Sequence, residues 1–142
     1  MKNRGFEILK GYEEIILPTR KTAFSAGYDL QAAEDVFVEE NKISIVPTGL
    51  KAFMLPDEVL LIYIRSSLAV KHNLTLANSV GVIDADYNDH ILLPVISLAG
   101  NFEIKKGMRV AQGIFQKYLT VDGDKIGEGE KRIGRFGSTG EF

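Results

Sequence analysis

The 142-residue sequence contains no cysteine and two histidines. The lack of cysteine excludes disulfide bonds, a thiol nucleophile and cysteine-bound zinc, and two isolated histidines cannot form a zinc cluster by themselves. Any metal must therefore be held by oxygen atoms. A formal net charge of -2 argues against nucleic acid as a partner, because a nucleic-acid-binding face would need a basic excess. The composition still permits small phosphorylated ligands.

Long apolar runs are also lacking, since no stretch approaches the ~20 residues that a membrane-spanning helix needs. The amino-terminal stretch, MKNRGFEILKGYEE, lacks the continuous apolar core of a secretion signal. We therefore expect no membrane association and a cytoplasmic location. The length, with 45% hydrophobic and 25% charged residues, predicts one compact globular domain.

Short β-prone segments, separated by glycine and proline, run through the chain up to residue 120. They predict strands over 6–9, 28–32, 36–38, 43–53, 59–65, 80–84, 91–98 and 109–119. One helix is predicted over 66–72, opened by a serine cap. The pattern is typical of an all-β sandwich or barrel with one short helix. Six of the fourteen glycines lie between 121 and 142, which divides the chain into a core of residues 1–120 and a flexible, glycine-rich arm of residues 121–142.

Five short segments carry polar groups that could bind a ligand: AGYDL (26–30), RSSLA (65–69), GVIDADY (81–87), RVAQ (109–112) and FGSTG (136–140). Each has two readings on its own. RSSLA fits a phosphate site, where a cation, hydroxyls and free backbone amides converge, or simply a capped helix. Asp29 fits a turn, and Arg109 and Gln112 fit structural roles. FGSTG fits either an anion-binding loop or a flexible linker.

In this order and spacing, the five segments resemble the five motifs of the trimeric dUTP diphosphatases, the dUTPases. The resemblance spans residues 26–140, and GVIDADY and FGSTG are its most specific parts. It implies a jelly-roll-like β-barrel, a homotrimer with active sites at the subunit interfaces, Mg2+, and hydrolysis of dUTP to dUMP and pyrophosphate.

The resemblance also assigns roles to single residues around the hairpin motif. Asp84 is implied to activate the water that attacks the α-phosphorus, a task that suits an ionised carboxylate. Tyr87 is implied to lie under the deoxyribose and to leave no room for a 2'-hydroxyl group. Asn78, with main-chain groups of Val82 and Ile83, is implied to pair with uracil.

The remaining assignments concern the triphosphate, the metal and the arm. Asp29 is implied to hold Mg2+ as an outer-shell ligand through water, because Mg2+ dehydrates reluctantly. Phe136 is implied to cover the uracil while the arm orders. The resemblance assigns binding of the triphosphate to two groups of residues. The first is Arg65, Ser66, Ser67 and Gln112, and the second is Gly137, Ser138 and Thr139 with a basic residue of the arm.

Two motifs depart from the usual family pattern. In the third, Asp89 stands where a glycine is usual and is followed by His90. In the fifth, Lys131 replaces an arginine and Arg135 replaces a glycine. The phosphate-binding cation of the arm is therefore open among Lys131, Arg132 and Arg135, with Lys131 and Arg132 favoured. A lysine there would bind as a point charge without the bidentate fork.

Two alternative functions compete with an active dUTPase. A related dCTP deaminase shares the Arg-Ser-Ser stretch, but it usually lacks the aspartate–tyrosine hairpin and the FGSTG arm. Pyrophosphate release without ammonia would separate the two. The other alternative is a regulatory protein. It would engage a protein partner through a trimer surface that the nucleotide orders, and hydrolysis would be secondary.

Overall fold

The computed structural model describes residues 1–124 of the chain. This part is mostly β-strand with one short helix, as the sequence predicts for an all-β, jelly-roll-like fold. The elements are β1 (Gly5–Ile8), β2 (Tyr28–Gln31), β3 (Val36–Val38), β4 (Ile43–Pro47), β5 (Leu50–Phe53), β6 (Glu58–Ile64), α1 (Ser66–His72), β7 (Leu74–Leu76), β8 (Gly81–Asp84), β9 (Leu92–Ser97), β10 (Phe102–Ile104) and β11 (Arg109–Lys117).

In the described part of the chain, the strands form two larger sheets and two two-stranded ones, all with antiparallel pairing. The four-stranded sheet has the order β2-β11-β6-β8, and the three-stranded sheet has the order β4-β9-β7. The smaller pairs are β1-β5 and β3-β10. Most neighbours are distant in sequence, so long-range pairing rather than local hairpins fixes the positions of the functional segments.

One hydrophobic core joins the sheets. Leu30, Leu60 and Ile62 of the four-stranded sheet are at most 2% exposed and belong to the same buried cluster as Val46 and Leu93 of the three-stranded sheet. Full burial of one such aliphatic side chain stabilises a fold by about 1.5–3 kcal/mol. The core packs against one face of the four-stranded sheet and holds the sheet in place, and the other face of the sheet carries polar side chains.

The structure corrects the predicted elements in three places. The strand predicted over 43–53 is two strands, because Gly49 adopts a φ of +73° and turns the chain between β4 and β5. The short strands β7 and β10 were not predicted; each has three residues, too few for a clear alternation. The predicted serine cap is wrong, since Arg65 is the N-cap of α1 and no side chain caps it.

Within residues 1–124, no helix has the length and apolarity that crossing a bilayer requires.

Candidate active site

Several predicted site residues share one face of the four-stranded sheet. Tyr63 on β6 lies opposite Gln112 on β11, and Gln112 lies opposite Asp29 on β2. Further along β6, Val59 lies opposite Asp84 on β8. Residues directly opposite each other point to the same face, and residues two apart along a strand do so as well. Asp29, Gln112 and Asp84 therefore lie on the face opposite to the core leucines and isoleucine.

The same register separates these residues into two groups. Val59 and Tyr63 are four residues apart, which is about 13 Å along β6. Asp84 and Gln112 also lie on opposite sides of β6, two strand spacings apart, so their Cα atoms are separated by about 16 Å. We call the corner around Asp29, Arg65 and Gln112 the phosphate end and the segment of residues 78–90 the carboxylate end.

The phosphate end is held together by two arginines. Arg65 follows β6, and its guanidinium donates a hydrogen bond to the carbonyl oxygen of Arg109 over 3.1 Å. The Arg109 guanidinium in turn contacts Oδ2 of Asp29 at 3.3 Å. Arg109 therefore has a structural role, as the ion-pair partner of Asp29, and the RSSLA, RVAQ and AGYDL segments meet in one corner.

The start of α1 adds donors to this corner. Ser66 is exposed and Ser67 is partly exposed, and both belong to the first turn of the helix. The first amides that bond within the helix are those of Leu68 and Ala69, which donate to the Arg65 carbonyl oxygen. The amides of Ser66 and Ser67 precede them and are available to an anion beside the two hydroxyls. Cation, hydroxyl and amide donors thus share the phosphate end.

A buried glycine makes room for the amide side chain of Gln112. A Cβ atom added to Gly27 would overlap Oε1 of Gln112 and would lie 2.9 Å from its Cβ. Gly27 therefore permits the close approach of β2 and β11. This packing explains why the AGYDL segment has a glycine at this position.

The carboxylate end is built from a contiguous stretch of chain. Asp84 is the last residue of β8 and is partly exposed. Its carbonyl oxygen accepts a hydrogen bond from the Tyr87 amide at 3.0 Å, which closes a tight turn. The Tyr87 ring is 9% exposed in the single chain, and its hydroxyl donates to the carbonyl oxygen of His90 at 2.7 Å. Asp84 and Tyr87 are therefore fixed relative to each other by the backbone.

The residues predicted to contact uracil surround the exposed side of β8. Val82 shares the face of Asp84 and is 59% exposed, whereas Ile83 packs against the core. Asn78 is exposed in the turn before β8, where the Val80 amide donates to its carbonyl oxygen. Because β8 is the outermost strand on its side of the sheet, part of its main chain points away from β6 and can pair with a planar ligand.

An ion pair with a buried carboxylate lies next to Val59, the residue opposite Asp84. Glu58, next to Val59 on β6, is 4% exposed, and both of its carboxylate oxygens accept hydrogen bonds from Nε of Arg4 at 3.0 Å. These bonds, with one from the Leu55 amide, lower the pKa of Glu58. The sequence offered no signal for this contact, because Arg4 and Glu58 are far apart in the chain.

No role was predicted for His90, which is 8% exposed and accepts a hydrogen bond from the Gly49 amide through Nε2. Among residues 1–124, no group of three or more histidine, aspartate or glutamate side chains could hold a metal ion alone. The predicted residues of the arm lie outside the described residues; they are Lys131, Arg132, Arg135, Phe136, Gly137, Ser138 and Thr139.

Comparisons with known proteins point to one family. The model of the dUTPase family matches residues 13–140. A deoxyuridine 5'-triphosphate nucleotidohydrolase of Lactococcus lactis subsp. lactis (strain IL1403) is 46% identical over 149 aligned residues, which cover 99% of this chain and 99% of that protein. One of Rickettsia felis is 44% identical over 131 residues, 87% of this chain and 88% of the relative. The crystal structure of dUTPase from Streptococcus mutans is 43% identical with a TM-score of 0.79, and the match covers 84% of this chain and 99% of that one.

Proposed function

The chain belongs to the dUTPase family, and from this premise we propose that it hydrolyses dUTP to dUMP and pyrophosphate in active sites shared between copies of the chain. The observation that carries the proposal is the separation of the phosphate end from the carboxylate end on one sheet face. Each end holds part of the required chemistry, and a second copy can bring the missing end to it.

A homotrimer is the assembly that we propose. Exposed apolar side chains on the outer face of the three-stranded sheet support an association between copies. Ile43 is 60% exposed and Ile45 is 44% exposed, and they lie opposite Ile96 and Pro94 of β9. Contiguous exposed apolar surface of this kind is typical of protein interfaces.

In the proposed reaction, Asp84 acts as the general base. Its carboxylate accepts a proton from a water molecule while the water oxygen forms a bond to the α-phosphorus. The bond between the α-phosphorus and the oxygen that bridges it to the β-phosphorus breaks, and pyrophosphate leaves. The position of Asp84 at the end of a strand, closed by the Tyr87 amide, supports this role because it fixes the backbone that carries the carboxylate.

Substrate selection is assigned to the rest of the carboxylate end. The ring of Tyr87 lies under the deoxyribose and excludes a 2'-hydroxyl group. Uracil pairs with the side-chain amide of Asn78 and with main-chain groups of Val82 and Ile83 on the free edge of β8. The outermost position of β8 in its sheet supports this pairing.

The phosphate end of a neighbouring copy binds the triphosphate through Arg65, Ser66, Ser67 and Gln112. Mg2+, when bound, neutralises phosphate charge and helps to orient the α-phosphate. Asp29 would hold it through water. The residues fit this outer-shell role, since Asp29 is a single, partly exposed carboxylate beside Gln112 and Arg109 and no acidic cluster in residues 1–124 competes for the ion.

The arm of residues 121–142 completes the proposed site. Phe136 covers the uracil, and Gly137, Ser138 and Thr139, with Lys131 or Arg132, close over the phosphates. Deleting residues 131–142 should leave the melting temperature nearly unchanged, because the sequence of the arm is rich in glycine and charge and poor in apolar residues, and should abolish turnover. A truncated chain that unfolds, or one that remains active, would contradict this assignment.

We also propose a cytoplasmic location, with neither nucleic acid nor membrane as a partner. A regulatory partner protein is a separate function, which a pull-down with and without nucleotide would detect. Pyrophosphate release tests the enzymatic proposal most simply. With Mg2+ present, dUTP should release pyrophosphate much faster than dCTP, dTTP or UTP, and chelation should suppress the reaction. Ammonia release from dCTP would favour the deaminase instead.

A further inference from the structure

His90, the last residue of the carboxylate end, is buried beside the turn that joins β4 to β5. Its ring packs edge-on against the ring of Tyr12, with centroids 5.2 Å apart. Nε2 of His90 accepts a hydrogen bond from the Gly49 amide at 2.8 Å. A nitrogen that accepts such a bond carries no proton, so the pattern of hydrogen bonds assigns a neutral imidazole here.

The donor to His90 has little freedom to move. Gly49 adopts a φ of +73°, and a Cβ atom at this position would lie 2.8 Å from side-chain atoms of both Tyr12 and Ile15. Its carbonyl oxygen accepts a further hydrogen bond from the Leu9 amide at 2.8 Å. The Gly49 amide is therefore a fixed point to which the imidazole is attached.

The main chain of His90 is attached to the proposed sugar-contacting residue. The Tyr87 hydroxyl donates to the His90 carbonyl oxygen at 2.7 Å, and the His90 amide donates to Oδ1 of Asp89 at 2.6 Å. Since the Tyr87 amide is bonded to the Asp84 carbonyl, a continuous path of hydrogen bonds and backbone runs from Gly49 through His90 and Tyr87 to Asp84.

We propose that His90 is a positioning residue that determines where the Tyr87 ring lies and thereby sets the preference for dUTP over UTP. The inference rests on the proposed function, because it takes Tyr87 as the group that excludes a 2'-hydroxyl. Such exclusion works by a clash, and a clash discriminates only if the ring cannot retreat. The bond from the Tyr87 hydroxyl to the His90 carbonyl keeps the far end of the ring in place, and the bond from Gly49 keeps His90 in place.

The test compares two substitutions of His90 in the full-length protein. His90→Leu fills the space but removes the acceptor, so the Gly49 amide loses its buried partner and residues 87–90 shift. His90→Gln keeps an acceptor at a similar reach from the backbone. We measure kcat/KM for dUTP and for UTP by pyrophosphate release, together with the melting temperature. His72→Leu, at the exposed end of α1, is the matched control.

The dUTP-to-UTP ratio of kcat/KM should fall about tenfold in His90→Leu, as expected when one buried hydrogen bond is lost. His90→Gln should restore most of the ratio, and His72→Leu should leave it unchanged. If His90→Leu lowers the melting temperature but keeps the wild-type ratio, the residue is merely structural and the proposal is overturned. The proposal is also overturned if the dUTP-to-UTP ratio of kcat/KM falls as far in His90→Gln as in His90→Leu.

Tyr87→Phe covers the case in which His90→Leu does not fold, because it removes one hydroxyl group and keeps the ring. The proposal expects a reduced dUTP-to-UTP ratio in this variant, and an unchanged ratio overturns it. Failure of the proposed function gives a different result, since wild-type protein would then release no pyrophosphate from dUTP; that outcome would remove the positioning role as well.

Discussion

The phosphate end and the carboxylate end of the four-stranded sheet are built in different ways. The phosphate end joins segments that are distant in sequence, and side chains connect them: Arg65 to the Arg109 carbonyl, and Arg109 to Asp29. The carboxylate end is one stretch of chain, fixed mainly by bonds within itself and by the bond from the Gly49 amide to His90. The first arrangement provides charge and donors for phosphates, whereas the second fixes the Tyr87 ring and the backbone that carries the Asp84 carboxylate. Binding and chemistry should therefore fail separately when each end is changed.

The largest effect is expected at the carboxylate end, from Asp84→Asn. An amide cannot accept the proton of the attacking water, so kcat should fall at least about a hundredfold while dUTP binding persists. Single-turnover rates and equilibrium binding measure the two quantities. Asp57→Asn is the matched control, since it removes the same charge at an exposed position outside both ends and should keep most activity. Near-normal turnover in Asp84→Asn would remove Asp84 from its role.

A smaller effect, of a different kind, is expected at the phosphate end from Gly27→Ala. The added methyl group would displace the side chain of Gln112, so KM for dUTP should rise by about tenfold, the loss expected for one hydrogen bond to a charged group. The change in kcat should be smaller, because Asp84 is untouched. Steady-state kinetics decide this, with Ala26→Ser, at an exposed neighbouring residue, as control. A drop in kcat at constant KM would show that the two ends do not divide binding and chemistry.

The smallest effect on activity, but a clear one on stability, is expected from Arg4→Met. Arg4 lowers the pKa of Glu58, so the pair stabilises the folded state above the ordinary pKa of a glutamate, and this contribution is lost as the pH falls through the folded-state value. The variant should melt a few degrees lower than the wild type near pH 7, and the difference should narrow below about pH 4.

The control for Arg4→Met is Lys42→Met. Lys42 pairs with Glu39, and both side chains are more than half exposed, so its loss should hardly change the melting temperature at any pH. If the melting temperature of Arg4→Met differs from that of the wild type by the same amount at every pH, the charge on Glu58 is not the source of the stability that Arg4 contributes.

The sequence predicted elements well where the signal is local. The strand over 36–38 and the helix over 66–72 match the structure at both ends, and most other strands shift by one or two residues. The break at Gly49 was missed because the apolar residues on both sides of Pro47, Thr48 and Gly49 predict one alternating strand, whereas the positive φ of Gly49 turns the chain. Strands β7 and β10 were missed because three residues carry no clear period.

The candidate site was predictable as a set of residues but not as a geometry. The five motifs name the side chains through a resemblance, yet nothing in their spacing places Asp84 at one end of β6 and Gln112 near the other. That arrangement depends on strand pairing over long sequence distances. The contacts of Arg4 with Glu58 and of His90 with Gly49 also join residues that are far apart in the sequence, so no sequence pattern predicts them.

The most direct test of a site shared between copies is complementation between two defective chains. Asp84→Asn lacks the base but has an intact phosphate end, and a chain with both Arg65→Ala and Gln112→Ala has the reverse. Denatured together in equal amounts and refolded, they should regain about a quarter of wild-type activity, because one in four neighbouring pairs in a randomly mixed trimer joins two intact ends. Activity no higher than the mean of the separately refolded variants would contradict an active site built between copies of the chain.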